Sequence, residues 1–111
     1  MPDADHLYDE AIELKESGDL EGAIAKLEAL LEQEPDFMLA HAGLSVFYGT
    51  SQQHEKAVEH ARKVCELDPD DPFSYVALSM ICQKADQKTE AEMAMQQAME
   101  KQLAASRENN Q

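Results

Sequence analysis

Histidines are the residues in this chain best suited to acid–base or metal chemistry. The chain has four: His6, His41, His54 and His60. No two stand four residues apart, the spacing that puts two ligands on one face of a helix. A metal site would need histidines brought together from distant positions, so we predict neither a metal nor another cofactor.

A second candidate is the acidic run Asp68–Asp71, which resembles the start of a calcium-binding loop. Pro72 and Phe73 stand where such a loop needs a ligand and a turn glycine, and Ser79 stands where it needs a bidentate glutamate. We therefore predict a turn here. The sequence also has no glycine-rich phosphate loop, GxSxG, HExxH or CxxC motif, so we predict that the protein is not an enzyme.

Charge narrows the choice of partners. The 111 residues carry 23 acidic and 9 basic side chains, a net charge of -14. The field is uneven, because residues 1–36 hold 12 of the acids and only two lysines. Negative charge repels phosphate backbones and anionic lipid headgroups. The sequence therefore predicts no nucleic-acid partner and no membrane partner.

The N-terminus and the cysteines bear on the compartment. Residues 1–5 include Asp3 and Asp5 and do not resemble a signal peptide, and no apolar run approaches the length of a membrane span, so we predict a cytoplasmic protein. Cys65 and Cys82 each lie in a helical apolar pattern. We predict that both are reduced packing residues.

The elements that position these residues follow from an internal repeat. The offset that aligns Ala23 with Ala57 also aligns Ala57 with Ala91, and Pro35 with Pro69. Apolar residues within each unit recur at helical spacing along two successive segments. The predicted helices are 4–17, 20–33, 37–50, 54–67, 72–84 and 88–104.

Helix boundaries are marked by residues with known conformational preferences. Gly18 suits a left-handed helix end, and Asp19 suits the cap of the next helix. Asp36 and Asp71 are the predicted N-caps of the third and fifth helices. In the same register, His41 and His54 fall in packing positions, whereas His6 and His60 fall on outer faces.

This pattern resembles the tetratricopeptide repeat family from about residue 4 to residue 105. Two units follow the family's sequence pattern, the second with His41, Leu44, Ser45, Tyr48, Ala57, Ala61 and Pro69, and the third with Tyr75, Leu78, Ser79, Cys82, Ala91 and Met95. Glu10 departs from the pattern where Leu is usual, and Leu103 replaces the last Pro, so we expect the final helix to run on. The resemblance implies an all-α, right-handed α-solenoid of three hairpins in a single domain, with repeats at about 4–37, 38–71 and 72–105 and a polar tail at 106–111.

The resemblance also implies a concave groove lined by the first helix of each hairpin. The groove residues predicted for partner binding are Tyr8, Ile12, Leu39, Ala42, Val46, Phe73, Val76 and Met80. The same projection adds Lys15, Gly43, Gly49, Thr50, Ala77, Gln83 and Lys84. Asp5, Asp9 and Glu16 form an acidic rim at one end, while charged residues of the second helices, including Glu28, Glu59 and Arg62, form a convex solvated face.

From these features we predict an adaptor or small chaperone that binds a protein or peptide carrying apolar anchors and basic residues. Family members that grip the acidic tails of heat-shock chaperones present Lys, Asn, Asn, Lys and Arg into the groove. The matching positions here are Tyr8, Ile12, Gly43, Phe73 and Ala77, so this partner is disfavoured.

Three alternatives stay open. The chain could be a self-assembly module, forming a homo-oligomer through the groove or through the methionine-rich last helix with Met93, Met95 and Met99. It could be a chaperone for an exported subunit, similar to the repeat-built chaperones of bacterial secretion systems. This hypothesis rests only on their similar helical architecture. The groove could also be narrow and self-packed.

Overall fold

The computed structural model describes residues 3–109, which form six α-helices and no strand. The helices are α1 (Ala4–Glu16), α2 (Leu20–Gln33), α3 (Met38–Thr50), α4 (His54–Leu67), α5 (Pro72–Lys84) and α6 (Lys88–Asn109). Each begins and ends close to its predicted boundary except α6. The prediction of an all-α helical-hairpin solenoid is confirmed.

Two of the predicted aspartate caps are present. The Asp19 carboxylate accepts a hydrogen bond from the Gly22 amide at 2.9 Å, and Asp71 accepts one from the Phe73 amide at 3.0 Å. Such bonds satisfy amides that have no partner inside the helix. The prediction for Asp36 is wrong: the N-cap of α3 is Phe37, which has no side-chain capping bond.

The turn inside each hairpin has the same backbone geometry in all three repeats. Gly18, Gln52 and Asp86 occupy equivalent repeat positions and have φ angles of 93°, 64° and 60°. In each case the amide of the following residue donates a hydrogen bond to the carbonyl five residues before it, at an N···O distance of 2.8 Å. The left-handed backbone conformation is therefore kept at Gln52 and Asp86, although glycine is the residue that adopts it at least cost.

Helices pair as α1 with α2, α3 with α4 and α5 with α6, and successive hairpins meet through α2 with α3 and α4 with α5. Ala23, Ala57 and Ala91 are all buried. The absence of a longer side chain there lets paired helices approach closely. The core forms two clusters, an N-terminal one centred on Leu27 and Leu44 and a C-terminal one centred on Leu78 and Cys82.

Two further predictions need correction. The last helix runs on as expected, but it reaches Asn109, so residues 106–109 of the predicted polar tail are helical and residues 110–111 lie outside the described part of the chain. Gly43 does not line the groove. A Cβ atom there would lie 2.9 Å from Leu27 Cδ1, so this glycine lets α3 approach α2.

Candidate functional site

A cavity of about 290 Å³ opens between α3 and α5 on the face where the groove was predicted. It is lined by Ser45, Val46, Gly49, Thr50, His54, Ala77, Met80, Ile81 and Lys84. Val46 and Met80 were among the predicted contact residues, and both are more than half exposed, at 58% and 55%. Large apolar side chains beside an open cavity are the pattern expected of a binding surface.

The other predicted groove residues of α3 and α5 differ in exposure. Leu39 and Phe73 lie at the first turns of their helices and are exposed, Phe73 at 75%. Ala42 and Val76 are half-buried, and Val76 packs against the C-terminal core cluster. Val76 thus contributes to folding as well as to the groove.

The predicted contacts of α1 are more deeply packed than those of α3. Tyr8 and Ile12 are half-buried against the N-terminal core cluster, and the Tyr8 ring lies 6.3 Å from the Phe37 ring. Asp5, Asp9 and Glu16 are exposed and form no salt bridge with any residue between 3 and 109. This end of the surface is therefore acidic, whereas the α3/α5 end is apolar.

The floor of the groove is tightly packed. A second cavity of only about 50 Å³ lies among Ala42, Ser45, Ala61, Val64, Ser74 and Ala77. The Ser45 hydroxyl donates to the Ala42 carbonyl at 2.7 Å, which satisfies it inside its own helix. Small side chains thus bring α3, α4 and α5 together, and the 290 Å³ cavity lies along the C-terminal halves of α3 and α5.

Sequence reasoning did not assign Ser45, His54 and Ile81 to the groove. His54 was expected in a packing position, yet it begins α4 and lines the cavity. Its Nδ1 atom is buried and has no hydrogen-bond partner among the described residues. A repeat pattern predicts which face of a helix each of its residues occupies. It does not predict that the first residue of a neighbouring helix lies beside that face, so no sequence signal marked His54.

Two histidines do meet, inside the second hairpin, where His41 of α3 contacts His60 of α4. The His41 Nε2–H donates to the Pro35 carbonyl at 2.7 Å, which leaves His41 Nδ1 as an acceptor for His60 Nδ1–H at 3.0 Å. His60 is half-buried and its ring also stacks 5.7 Å from Tyr48. The predicted outer-face position of His60 is therefore wrong, while that of His41 in a packing position is confirmed.

Burial and a neighbouring carboxylate act in opposite directions on the pKa of His60. Burial lowers the pKa of His60, and the nearby Glu28 carboxylate, 3.6 Å from His60 Nε2, opposes the shift. Glu28 also accepts a hydrogen bond from the Tyr48 hydroxyl at 2.8 Å. Burial, followed by this bond, raises the pKa of Tyr48 to about 12.

Some charged residues of the predicted convex face form ion pairs with residues of neighbouring helices. Arg62 of α4 donates two hydrogen bonds to the Glu90 carboxylate of α6, one of them from Nε at 2.6 Å. This pairing lowers the pKa of Glu90 and raises that of Arg62. In the first hairpin, Glu10 pairs with Lys26 at 2.9 Å, which explains how a carboxylate is accommodated where the repeat usually has leucine.

The remaining candidates for chemistry lie in the core. Cys65 and Cys82 are buried free thiols, as their predicted packing role requires, and burial raises the pKa of Cys65 to about 11. Within residues 3–109, no three histidine, cysteine or acidic side chains gather as metal ligands would. Among the same residues, no helix is both long and apolar enough to cross a membrane.

Comparison with known proteins fits this geometry. Residues 40–71 match the family model described as tetratricopeptide repeat. Over 69 residues the chain is 35% identical to Protein CTR9 homolog of Arabidopsis thaliana, an alignment that covers 62% of this chain and 6% of that protein.

Solved structures resemble the fold over most of its length. The structure of MamA superposes with a TM-score of 0.85 at 19% identity, covering 95% of this chain and 61% of that one. The Sgt2 domain from Aspergillus fumigatus has a TM-score of 0.78 at 22% identity, over 92% of this chain and 68% of that one. The second TPR of Spaghetti (RPAP3), solved bound to the HSP90 peptide SRMEEVD, has a TM-score of 0.76 at 17% identity. The superposition covers 86% of this chain and 89% of that one.

The middle hairpin of this chain therefore matches the tetratricopeptide repeat, and residues 3–109 have the fold of the solved structures that resemble it. The chain spans a small fraction of the CTR9 homolog and about three fifths of MamA.

Proposed function

We propose that this protein is a non-catalytic protein-interaction module, an adaptor or small chaperone, whose groove binds a partner segment through apolar anchors. The observation that carries the proposal is the cavity between α3 and α5, with Val46 and Met80 exposed along its wall.

Apolar burial supplies the main driving force in this proposal. Moving a large aliphatic or aromatic side chain from water into an apolar site contributes about 1.5 to 3 kcal/mol before the cost of association. The cavity is slightly smaller than the roughly 300 to 1,000 Å³ of pockets for drug-sized ligands. It therefore suits one anchoring side chain, with Leu39 and Phe73 available for further contacts at the helix starts.

Charge sets the orientation of the bound segment. Asp5, Asp9 and Glu16 lie on α1, whereas the cavity wall between α3 and α5 carries Lys84 and no acidic residue. Basic residues of the segment are attracted toward α1 while its anchor fills the cavity.

A related fold binds a peptide of the opposite charge. The Spaghetti domain was solved with SRMEEVD, a peptide with three acidic residues. In this chain the positions that match the family's chaperone-tail contacts are Tyr8, Ile12, Gly43, Phe73 and Ala77, and none is cationic. We therefore propose a peptide-binding groove with a preference for apolar and basic segments instead of acidic tails.

Selection from a random peptide library, with the full chain as bait, tests the proposal. Enriched peptides should share a large apolar residue together with Lys or Arg. Their affinity, measured by fluorescence anisotropy, should fall at least tenfold on Val46→Asp, because the change places a charge on the cavity wall. Added salt should weaken the basic contribution by screening.

The matched control is Glu59→Lys, an exposed change on the outer helix α4. It should leave affinity unchanged, and circular dichroism should show that both variants fold. Full-strength binding by Val46→Asp, or loss of binding in Glu59→Lys alone, contradicts the assignment of the binding surface.

A further inference from the structure

The apolar residues of the groove form two matching rows, which we name the apolar rows. They stand at i, i+3 and i+7 of each helix: Leu39, Ala42 and Val46 on α3, and Phe73, Val76 and Met80 on α5. Residues at this spacing share one face of a helix. Each row is therefore a straight stripe whose end residues lie about 10.5 Å apart along the helix axis.

The two rows run side by side in the same direction. The larger cavity lies between the C-terminal halves of α3 and α5, whereas the smaller one includes Ala42 and Ser74 from their N-terminal halves. At the first turns of the same helices, Leu39 and Phe73 are again exposed. The rows are thus the two walls of a shallow trough that is apolar over two helical turns.

The trough offers almost no hydrogen-bonding group to a ligand. None of the six side chains in the apolar rows has a donor or an acceptor. The neighbouring hydroxyls of Ser45 and Thr50 donate to the Ala42 and Val46 carbonyls of their own helix, at 2.7 and 3.1 Å. An extended segment laid here would lose water from its amides and carbonyls without gaining protein partners. An α-helix bonds its own backbone, so the trough favours a helix.

Charge indicates which flank of that helix is basic. Helix α1 lies on one side of the trough, where the Tyr8 ring is 6.3 Å from the Phe37 ring that precedes α3. By the repeat offset, Asp5 and Glu16 correspond to Leu39 and Thr50, and both acids are exposed.

The three helices that line the groove differ in charge. Helix α1 carries five acids and one lysine, α3 carries no acid, lysine or arginine, and α5 carries only Lys84. Opposite charges attract most strongly at short range. Basic residues of a bound helix therefore belong on the flank that faces α1.

Building on the proposed function, we propose that the groove binds one amphipathic α-helix of a protein partner. Its apolar residues, at i, i+3 or i+4, and i+7, face the apolar rows, because that spacing matches the length of the rows. Its basic residues face α1. An alternating strand lacks the first feature, and an acidic helix lacks the second.

Two labelled peptides of about 14 residues, with identical composition in Leu, Lys and Ala, test the helical occupant on the full chain. One has Leu at helical spacing with Lys on one flank, and the other alternates Leu with Lys and Ala, a pattern typical of strands. Fluorescence anisotropy should show about tenfold tighter binding of the first peptide. Circular dichroism of the mixture should exceed the summed separate spectra in helicity.

The other outcomes separate this proposal from the proposed function. Equal affinities, or tighter binding of the alternating peptide, overturn the helical occupant and leave the groove as a binding surface. If neither peptide binds, the proposed function fails as well. If sedimentation velocity shows that the free chain is a dimer which Val46→Asp dissociates, the occupant is a second copy, and the proposal is wrong.

Variants at the two ends of a row test whether one helix spans it. Leu39→Asp and Val46→Asp lie two turns apart, and each should weaken binding of the helical-period peptide about tenfold. The added negative charge alone would attract this cationic peptide, so a fall in affinity reports lost apolar contact. Full-strength binding by Leu39→Asp contradicts a helix that spans the row.

The basic flank is tested by Glu16→Lys, with Glu59→Lys as the matched control. Both glutamates are exposed and undergo the same change of charge, but Glu59 lies on the outer helix α4. Glu16→Lys should weaken binding of the helical-period peptide several-fold, and Glu59→Lys should leave it nearly unchanged. Equal losses contradict the orientation toward α1. Circular dichroism melts of all variants separate lost binding from a lost fold.

Discussion

The seams between paired helices and the groove across α3 and α5 are both apolar, yet they differ in what covers them. At the seams, Ala23 and Ala57 are completely buried, and a longer side chain in such a close-packed position is unfavourable. In the groove, Val46 and Met80 belong to the same helical repeats but remain more than half exposed. Seam residues therefore determine stability, and groove residues are available for binding.

The sharpest test of this contrast is overpacking at a seam. Ala57→Leu should reduce the free energy of unfolding by about 1 to 3 kcal/mol, because the paired helices must separate to admit the longer side chain. Ala25→Leu, an exposed change on the convex side of α2, should have almost no effect. Equal shifts in urea denaturation midpoints for the two variants contradict the register of the repeat.

A smaller effect is expected at the boundary between the first two hairpins, where a side-chain hydrogen bond joins α3 to α2. Tyr48→Phe removes the hydroxyl that donates to Glu28 and should cost about 0.5 to 1.5 kcal/mol of stability. The control is Tyr75→Phe, which deletes a hydroxyl that has no hydrogen bond to any of the described residues. If thermal melts of the two variants coincide, the bond to Glu28 does not stabilise the boundary between the hairpins.

His60, which lies beside Glu28 of α2, makes the same boundary sensitive to pH. Because burial lowers the pKa of His60, the unfolded chain binds a proton more readily than the folded one. The stabilising contribution is present above the ordinary histidine pKa and is lost as pH falls through the lower folded-state value. Chemical denaturation between pH 7 and pH 5 should show this loss, and it should be reduced in His60→Asn. An unchanged pH dependence in that variant assigns the effect to other groups.

The smallest expected effect is that of metal. His41 already donates to Pro35 through one ring nitrogen and accepts from His60 through the other, so neither is free for a ligand bond. Adding zinc or a chelator should leave the melting curve unchanged. A chelator-induced shift of several degrees contradicts the structural role of these histidines.

Much of the fold could be predicted because its signals are local. Apolar residues at helical spacing placed six helices, and Gly18, Asp19 and Asp71 marked boundaries through their own backbone and capping preferences. Groove residues were harder to predict. Val46 and Met80 line the cavity as expected, whereas Val76 is shared with the core and Gly43 faces Leu27.

The sequence by itself determined the internal repeat, the helical hairpins and the uneven acidic charge, because each depends on residue order and side-chain type alone. Only the tertiary structure brought His60 against His41, placed His54 at the cavity and left Met99 uncovered. These features depend on how packed helices rotate and approach one another, both within a hairpin and between hairpins. That geometry is set by the sizes of all the side chains packed between them, which no single repeat encodes.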